Sequence, residues 1–270
     1  MFQIYSIKMK ICVLASGSKG NCTLISSGKT TILIDVGISY KILKERVERV
    51  GFSVNQISAI LVTHAHDDHF SGLKVLLKNN RIPLYATEET ASIIDSEFRD
   101  YLNKNNFEFD WAYITPDSSF EIENLSITPI STPHDKNGSV AYIVSDSCCK
   151  IAVVTDLGYI PQNLACSLDC CNALILEMNH DLEMLQESDR EDYLKMRISS
   201  KIGHLSNVQA AEFLEQTNID NLKYLFPAHI SHECNNKEII SFTLNTLKKE
   251  TNFKVVETFQ DRESEVIILE

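Results

Sequence analysis

Leu61-Val-Thr-His-Ala-His-Asp-Asp-His-Phe70 places four metal-ligand side chains, His64, His66, Asp68 and His69, within six residues. They follow directly on the apolar run Ile57 to Val62, which reads as a buried strand. A lone histidine at a strand end would be an ordinary loop residue, but this crowding is hard to explain without a cation. In an extended segment alternate side chains share a face, so His64 and His66 grip one ion together. Asp68 and His69 fall where the chain turns into the helical pattern beginning Phe70-Ser-Gly-Leu, and they point at a neighbouring position. One short segment thereby serves two metals.

Residues far along the chain complete such a site. Ser131-Thr-Pro-His134-Asp135 follows an expected hairpin, Phe120 to Ile130, and His134 is the natural third imidazole for the ion held by His64 and His66. Thr155-Asp156-Leu-Gly158 ends the strand Lys150 to Thr155. An aspartate there can bridge two cations, one carboxylate oxygen on each, and set them about 3.5 to 4 Å apart. Alone it would read as a turn residue. The strand Leu222 to Phe226 leads to Pro227-Ala-His229-Ile-Ser-His232, and His229, nearer the strand's end, is preferred to His232 as the late ligand.

The assignment is then His64, His66 and His134 for one metal, Asp68, His69 and His229 for the other, and Asp156 between them. Two such ions make hydroxide available near neutral pH and stabilise negative charge on a phosphoryl or carbonyl oxygen, which is hydrolytic chemistry. Zn2+ is the first expectation for imidazole and carboxylate donors, and Mn2+ or Fe2+ accept the same set. Asp68 and His204 are the candidate catalytic residues, His204 giving a proton to the leaving oxygen. The plainer reading of His204 is a hydrogen-bonded histidine at a helix entry.

Other polar positions carry weaker signals. Asp35, at the end of the strand Thr30 to Gly37, either orients a histidine ligand or bonds its own turn. The turn-rich loop Ser16-Gly-Ser-Lys-Gly-Asn21 makes Ser16, Ser18 and Asn21 candidates for substrate contact, though plain hairpins look alike. His180 and Ser206 are further candidates, His180 alternatively holding its own turn together. Asn207 is the expected cap of a helix Val208 to Gln216.

Taken together, Leu14-Ala-Ser-Gly-Ser-Lys-Gly-Asn21, Leu33-Ile-Asp-Val-Gly37, Thr63 to His69, Thr155-Asp156, Leu176-Glu-Met-Asn-His-Asp181, Gly203-His-Leu-Ser-Asn207 and the His229 region resemble the YycJ-like branch of the metallo-β-lactamase superfamily. The likeness runs from about Lys8 to the C-terminus. It implies a four-layer αβ/βα sandwich, two mixed sheets flanked by helices, with metals at one edge. It further implies phosphodiester hydrolysis, exonucleolytic cleavage of DNA in particular, and a catalytic role for His204.

Composition narrows the setting. A chain of 270 residues with 44% apolar and 23% charged residues is that of a globular protein, and no apolar stretch is long enough for a membrane span. Strands and helices alternate without a low-complexity linker, so residues 9–270 read as one hydrolase domain and 1–8 as an extension or alternative start. The run Ile11 to Ala15 is too short for a secretory signal, and cytoplasmic residence is the default. Eight cysteines without a regular framework read as reduced thiols, a zinc site on Cys166, Cys170 and Cys171 being the lesser alternative. A net charge of −12 and the lack of a lysine-arginine stripe argue against broad nucleic-acid affinity, although bound cations would let a phosphodiester approach. Residues Arg99 to Trp111 and Glu183 to Arg197 read as polar connections, and the last helix is expected from Lys237 to Glu250. The competing functions are hydrolysis of a small cyclic phosphodiester, thioester or lactone, and a metal-bearing regulatory module without turnover.

Overall fold

The computed structural model describes residues 8–247 and 252–270. All but the last residue of the expected extension 1–8 and the end of the expected final helix, 248–250, lie outside the described residues. The strands in chain order are β1 (Met9–Ala15), β2 (Cys22–Ser27), β3 (Thr30–Ile34), β4 (Ala59–Leu61), β5 (Leu84–Ala86), β6 (Trp111–Tyr113) and β7 (Phe120–Ile122). They continue with β8 (Leu125–Ser131), β9 (Val140–Ser145), β10 (Lys150–Val154), β11 (Ala173–Glu177), β12 (Tyr224–Ala228), β13 (Lys254–Val255) and β14 (Ile267–Leu269). The helices are α1 (Tyr40–Arg49), α2 (Asp67–Phe70), α3 (Leu73–Asn79), α4 (Glu88–Glu97), α5 (Arg99–Asn105), α6 (Gln162–Ser167), α7 (Leu182–Glu187), α8 (Asp192–Ile198), α9 (Asn207–Gln216) and α10 (Lys237–Asn245).

The strands form two seven-stranded mixed sheets, ordered β14-β1-β2-β3-β4-β5-β6 and β13-β12-β11-β10-β9-β8-β7. Side-chain alternation along each strand decides how they stack. Ile11, Ile25, Ile32 and Leu61 of the first sheet share one buried cluster with Tyr142, Val144, Ile175 and Phe226 of the second. The opposite face of the first sheet, with Leu24, Leu33 and Ile60, packs on Leu43 and Val47 of α1 and Leu73 and Leu76 of α3. The outer face of the second, with Val154, Leu174 and Leu176, packs on Leu164 of α6, Leu214 of α9 and Ile240 of α10. Both sheets are covered on both faces, which gives the four-layer αβ/βα sandwich and explains why the strands read as continuous apolar runs.

Several local expectations change. Arg99 to Trp111 contains α5 and the start of β6, and Glu183 to Arg197 contains most of α7 and α8. Neither α5 nor α8 has a buried residue, so neither carries the apolar stripe that marks a helix in sequence. Helix α9 is capped by Ser206, whose hydroxyl accepts from Gln209 N in a capping box, and Asn207 is the first helical residue instead of the cap. The Asn207 side chain pairs with Asn235. Among the described residues no helix is long and apolar enough to cross a membrane.

Candidate metal centre

Strands β3, β4 and β5 run parallel, as do β10, β11 and β12, and their carboxyl ends meet at one edge of the sandwich. Chain leaving those ends is where open sheets place their ligands. Asp35 follows β3, His64 to His69 follow β4, His134 follows β8 and Asp156 follows β10. Glu177 ends β11, and His229 comes directly after β12.

These turns are held tightly. Asn21 N donates to Asp68 O at 2.7 Å, Val36 N to His69 O at 2.8 Å and Gly37 N to Asn21 O at 2.9 Å. A β-carbon on Gly37 would lie 1.6 Å from Asp68 O, so only glycine permits the approach. Gly37→Ala is accordingly expected to lower unfolding stability by about 3 kcal/mol, the upper end for overpacking, as read by urea denaturation. Asp35, Asp156 and His229 all have positive φ, 61°, 61° and 52°. Such backbone costs about 1 to 3 kcal/mol per residue and persists where surrounding structure over-determines it.

Two donor groups result. His64 Nε2, His66 Nδ1 and His134 Nε2 converge, with His66 Nδ1 at 2.9 Å from the first and 3.1 Å from the third. Their rings stand at 88°, 84° and 85° to one another, a pinwheel that aims three nitrogens at one point. In the second group, Asp68 Oδ2 lies 3.5 Å from His69 Nε2 and 3.3 Å from His229 Nε2. Asp156 sits between the groups, Oδ2 3.4 Å from His69 Nε2 and Oδ1 4.0 Å from His134 Nε2. Asp156 Oδ2 is buried with no hydrogen-bond partner. A buried carboxylate oxygen in that condition is costly unless a cation meets it, so the donor set fits divalent metal. His232 is exposed and belongs to neither group. All eight cysteines are free, and among the described residues no metal-competent group includes one.

The surrounding residues fix these donors. Asp35, buried, accepts from Thr63 N and faces His69 Nδ1 at 2.8 Å. Asp135 Oδ1 lies 3.2 Å from His66 Nε2, behind the nitrogen that faces its partners. Glu177, fully buried, takes His204 Nδ1 at 2.8 Å and His229 Nδ1 at 2.9 Å on Oε1, and Leu157 N and Leu205 N on Oε2. With both oxygens occupied, Glu177 orients the two imidazoles and is a poor ligand, although it lies within reach of Asp156, His204 and His229. With Nδ1 engaged, His204 keeps Nε2 for a reacting group. The sequence reading missed Glu177 and Asp135. A glutamate closing the apolar run Ala173 to Leu176 is the signal that could have found it, since a charge there must be paired.

The weaker candidates divide. Ser16 is buried and accepts from His229 N at 2.7 Å. Asn21 Nδ2 reaches Asp68 Oδ2 and His69 Nε2, both at 3.0 Å, so Ser16 and Asn21 brace the donors. Ser18 lines a cleft beside the cluster. The Ser206 hydroxyl is engaged in the cap of α9. His180 is 1% exposed, with neither ring nitrogen hydrogen-bonded, and burial pushes it down to about 4.

Protonation differs between the halves. Burial, reinforced by neighbouring imidazoles, lowers His64 and His134 and brings His66 to about 4. Burial would also lower His69 and His229, but Asp156 with Asp35 and Asp68 raises the first, and Asp156 with Asp68 and Glu177 raises the second. In the metal-free chain the raised pair contributes stability that is fully present below the unfolded value of about 6.5 and is lost as pH rises through the folded values. The three lowered histidines, and His180 with them, add a penalty as pH falls below about 6.5, because the unfolded chain then binds protons that the folded chain refuses. Metal-stripped protein should therefore be most stable near pH 6.5, declining on each side by about 1.4 kcal/mol per pH unit for each proton. Urea unfolding at several pH values checks this, and a steady rise through the alkaline range would contradict it.

Two covered sheets face to face, with histidine and aspartate donors gathered at the strand ends of one edge, define a metallo-β-lactamase fold. YhfI of Bacillus subtilis, a metallo-β-lactamase fold protein, matches with a TM-score of 0.71 at 16% identity, over 97% of this chain and 100% of its own. The family described as Beta-lactamase superfamily domain matches residues 30–230, and the chain belongs to that superfamily of metal-dependent hydrolases, in its YycJ-like branch. It is 31% identical over 248 residues to Exodeoxyribonuclease YycJ of Bacillus anthracis, across 92% of each chain. It is 30% identical over 265 residues to Exodeoxyribonuclease WalJ of Streptococcus pneumoniae, across 94% of this chain and 96% of that protein.

Proposed function

We propose that this chain is a dinuclear phosphodiesterase of nucleic acid whose reaction is exonucleolytic cleavage of DNA. The observation that carries the reading is the pair of donor groups sharing Asp156, whose Oδ2 is buried without a partner. His64, His66 and His134 would hold one ion, Asp68, His69 and His229 the other, and Asp156 would touch both. Zn2+ suits these donors first, and Mn2+ or Fe2+ fit as well. When bound, the ions supply Lewis-acid polarisation of a phosphoryl oxygen and hydroxide at neutral pH. The chain's own groups do the rest. Glu177 holds His204 by Nδ1, leaving Nε2 to deliver a proton to the departing oxygen. Asp35 keeps His69 in orientation from behind, and Asp135 stands beside His66 at ion-pair distance. DNA as substrate is supported by the names of the two relatives. The eight free cysteines, three of them exposed, accord with a reducing, cytoplasmic setting.

The test is turnover of bis(p-nitrophenyl) phosphate and of end-labelled single- and double-stranded DNA and RNA by protein stripped and reloaded with Zn2+ or Mn2+. Metal-dependent release of mononucleotides from DNA is the expected result. His204→Ala should lower kcat by about 10²- to 10⁴-fold, the range for a general acid, with bound metal unchanged. No cleavage of any of these by protein carrying two ions would overturn the reading in favour of a small ester substrate.

A further inference from the structure

The cleft beside the donor cluster has a volume of about 150 Å³, and its lining includes Ser18, His134, Asp135, His204, Arg190 and Arg197. Its surroundings are acidic. Asp68, Asp135, Asp156 and Glu177 lie in the cluster, and the whole chain carries −12. An anion entering here needs cations from the protein besides any metal. Among the described residues lining the cleft, Arg190 and Arg197 are the two with permanently charged side chains.

Neither guanidinium is saturated. Arg190 reaches Glu233 through one nitrogen at 3.0 Å, and the Glu233 side chain is 65% exposed, so this is a weak surface pair. Arg190 Nε is buried and has no hydrogen-bond partner. Unmet buried donors are rare in folded proteins; this one is closed to solvent as the side chain stands, and because Arg190 lines the cleft, a rotation of its guanidinium brings the donor to an acceptor arriving from outside. Arg197 donates Nε and a terminal nitrogen to a single oxygen, Asp135 Oδ2, leaving other donors of its fork open, and its side chain is 54% exposed. Both arginines belong to the α7–α8 segment, where α8 sets Leu194, Arg197 and Ile198 on the cleft wall at helical spacing. A guanidinium fork matches two phosphate oxygens, which a single-point ammonium does not.

The cleft also opens beside His204, the group placed next to the departing oxygen. We propose that it is a subsite for the leaving fragment, in which Arg190, with Arg197 beside it, binds the phosphate adjacent to the scissile one. This rests on the phosphodiesterase reading and deepens it. The preferred substrate is a polyanionic strand carrying at least one further phosphate beyond the bond that is cut, not an isolated diester. It also gives an acidic protein a way to hold nucleic acid without a basic stripe.

The experiment compares the metal-loaded full chain on the thymidine dinucleotide TpT, which has one phosphate, and the trinucleotide TpTpT, which has two. The kcat/KM for TpTpT should exceed that for TpT by at least about tenfold, the scale of one hydrogen bond to a charged group. Arg190→Gln should bring the ratio close to one, and Arg190→Lys, which keeps the charge but loses the fork, should fall between. Calorimetric affinity for TpTpT, measured in the metal-loaded His204→Ala background with and without Arg190→Gln, reads binding apart from turnover and should weaken by a similar factor. Melting temperatures of the variants identify any loss that comes from folding, and Arg197→Gln then serves as the second probe. Equal rates on the two substrates, or a ratio and affinity that Arg190→Gln leaves unchanged, overturn the subsite while the phosphodiesterase reading stands. Arg190-dependent affinity without cleavage of either oligonucleotide overturns the phosphodiesterase reading and leaves the subsite.

Discussion

Asp68→Ala protein is expected to retain one divalent ion fewer per chain and to lose phosphodiester turnover by roughly 10³-fold, about 4 kcal/mol of transition-state stabilisation. Asp68 is the carboxylate proper to the second donor group, with Oδ2 within 3.5 Å of His69 Nε2 and 3.3 Å of His229 Nε2. Burial works against its charge, but the imidazoles of His69 and His229 overcome that and hold it well below the usual carboxylate range. Without it the group keeps two imidazoles and shares one oxygen of Asp156, too few donors to compete with water for a hard divalent ion. The first group, built from His64, His66 and His134, loses no donor. Elemental analysis of the reloaded variant, beside its rate on bis(p-nitrophenyl) phosphate, separates loss of an ion from loss of fold. Two retained ions with unimpaired turnover would remove Asp68 from the ligand set.

That group was legible in sequence because its first part is local. His64, His66, Asp68 and His69 lie within six residues, and the chemistry is written in one place. His134, Asp156 and His229 were found by a second rule, that each follows an apolar run and so stands at a strand end. What the sequence did not carry was the packing that brings those ends together, since β8, β10 and β12 belong to the second sheet and meet β4 of the first only across the core between them. Strand limits also moved. Ile57 and Val62 are buried but lie outside the β4 ladder, because burial alone does not separate a strand from the packed chain around it. Strand β12 runs past Phe226 through Pro227 to Ala228, where a proline argued for a stop. Pro227 is tolerated because β13 pairs with Tyr224 and Leu225 alone, so the missing N–H falls beyond that ladder. Glu177 was hidden for another reason. Its place at the close of an apolar run signals that the charge is paired, but which histidines it organises, from two different loops, is a property of three-dimensional placement.

Glu177→Gln is the change from which the largest combined effect is expected, although it removes no candidate ligand and alters volume hardly at all. The carboxylate accepts four N–H bonds, two imidazole on Oε1 and two backbone on Oε2. An amide has one accepting oxygen and one donating nitrogen, so one of those pairs must face an NH2 group. If the amide nitrogen faces the backbone, the N–H groups of Leu157 and Leu205 are buried without acceptors. If it faces the imidazoles, His204 and His229 must turn their Nδ1 atoms into acceptors and carry their protons on Nε2. For His229 that blocks the nitrogen placed to hold an ion, and for His204 it reverses the polarity of the anchor, so the ring no longer has a carboxylate to stabilise its protonated form. Both routes also delete the negative charge that, with Asp156 and Asp68, raises His229. Breaking a buried charge network of this kind costs about 3 to 5 kcal/mol of stability. Turnover should fall by at least about 10²-fold, because the proton donor and one ligand lose their shared carboxylate together. Urea unfolding, metal content and the pH dependence of kcat together test the argument. A stable Glu177→Gln protein with two ions and a wild-type pH profile would show that His204 and His229 are oriented without it.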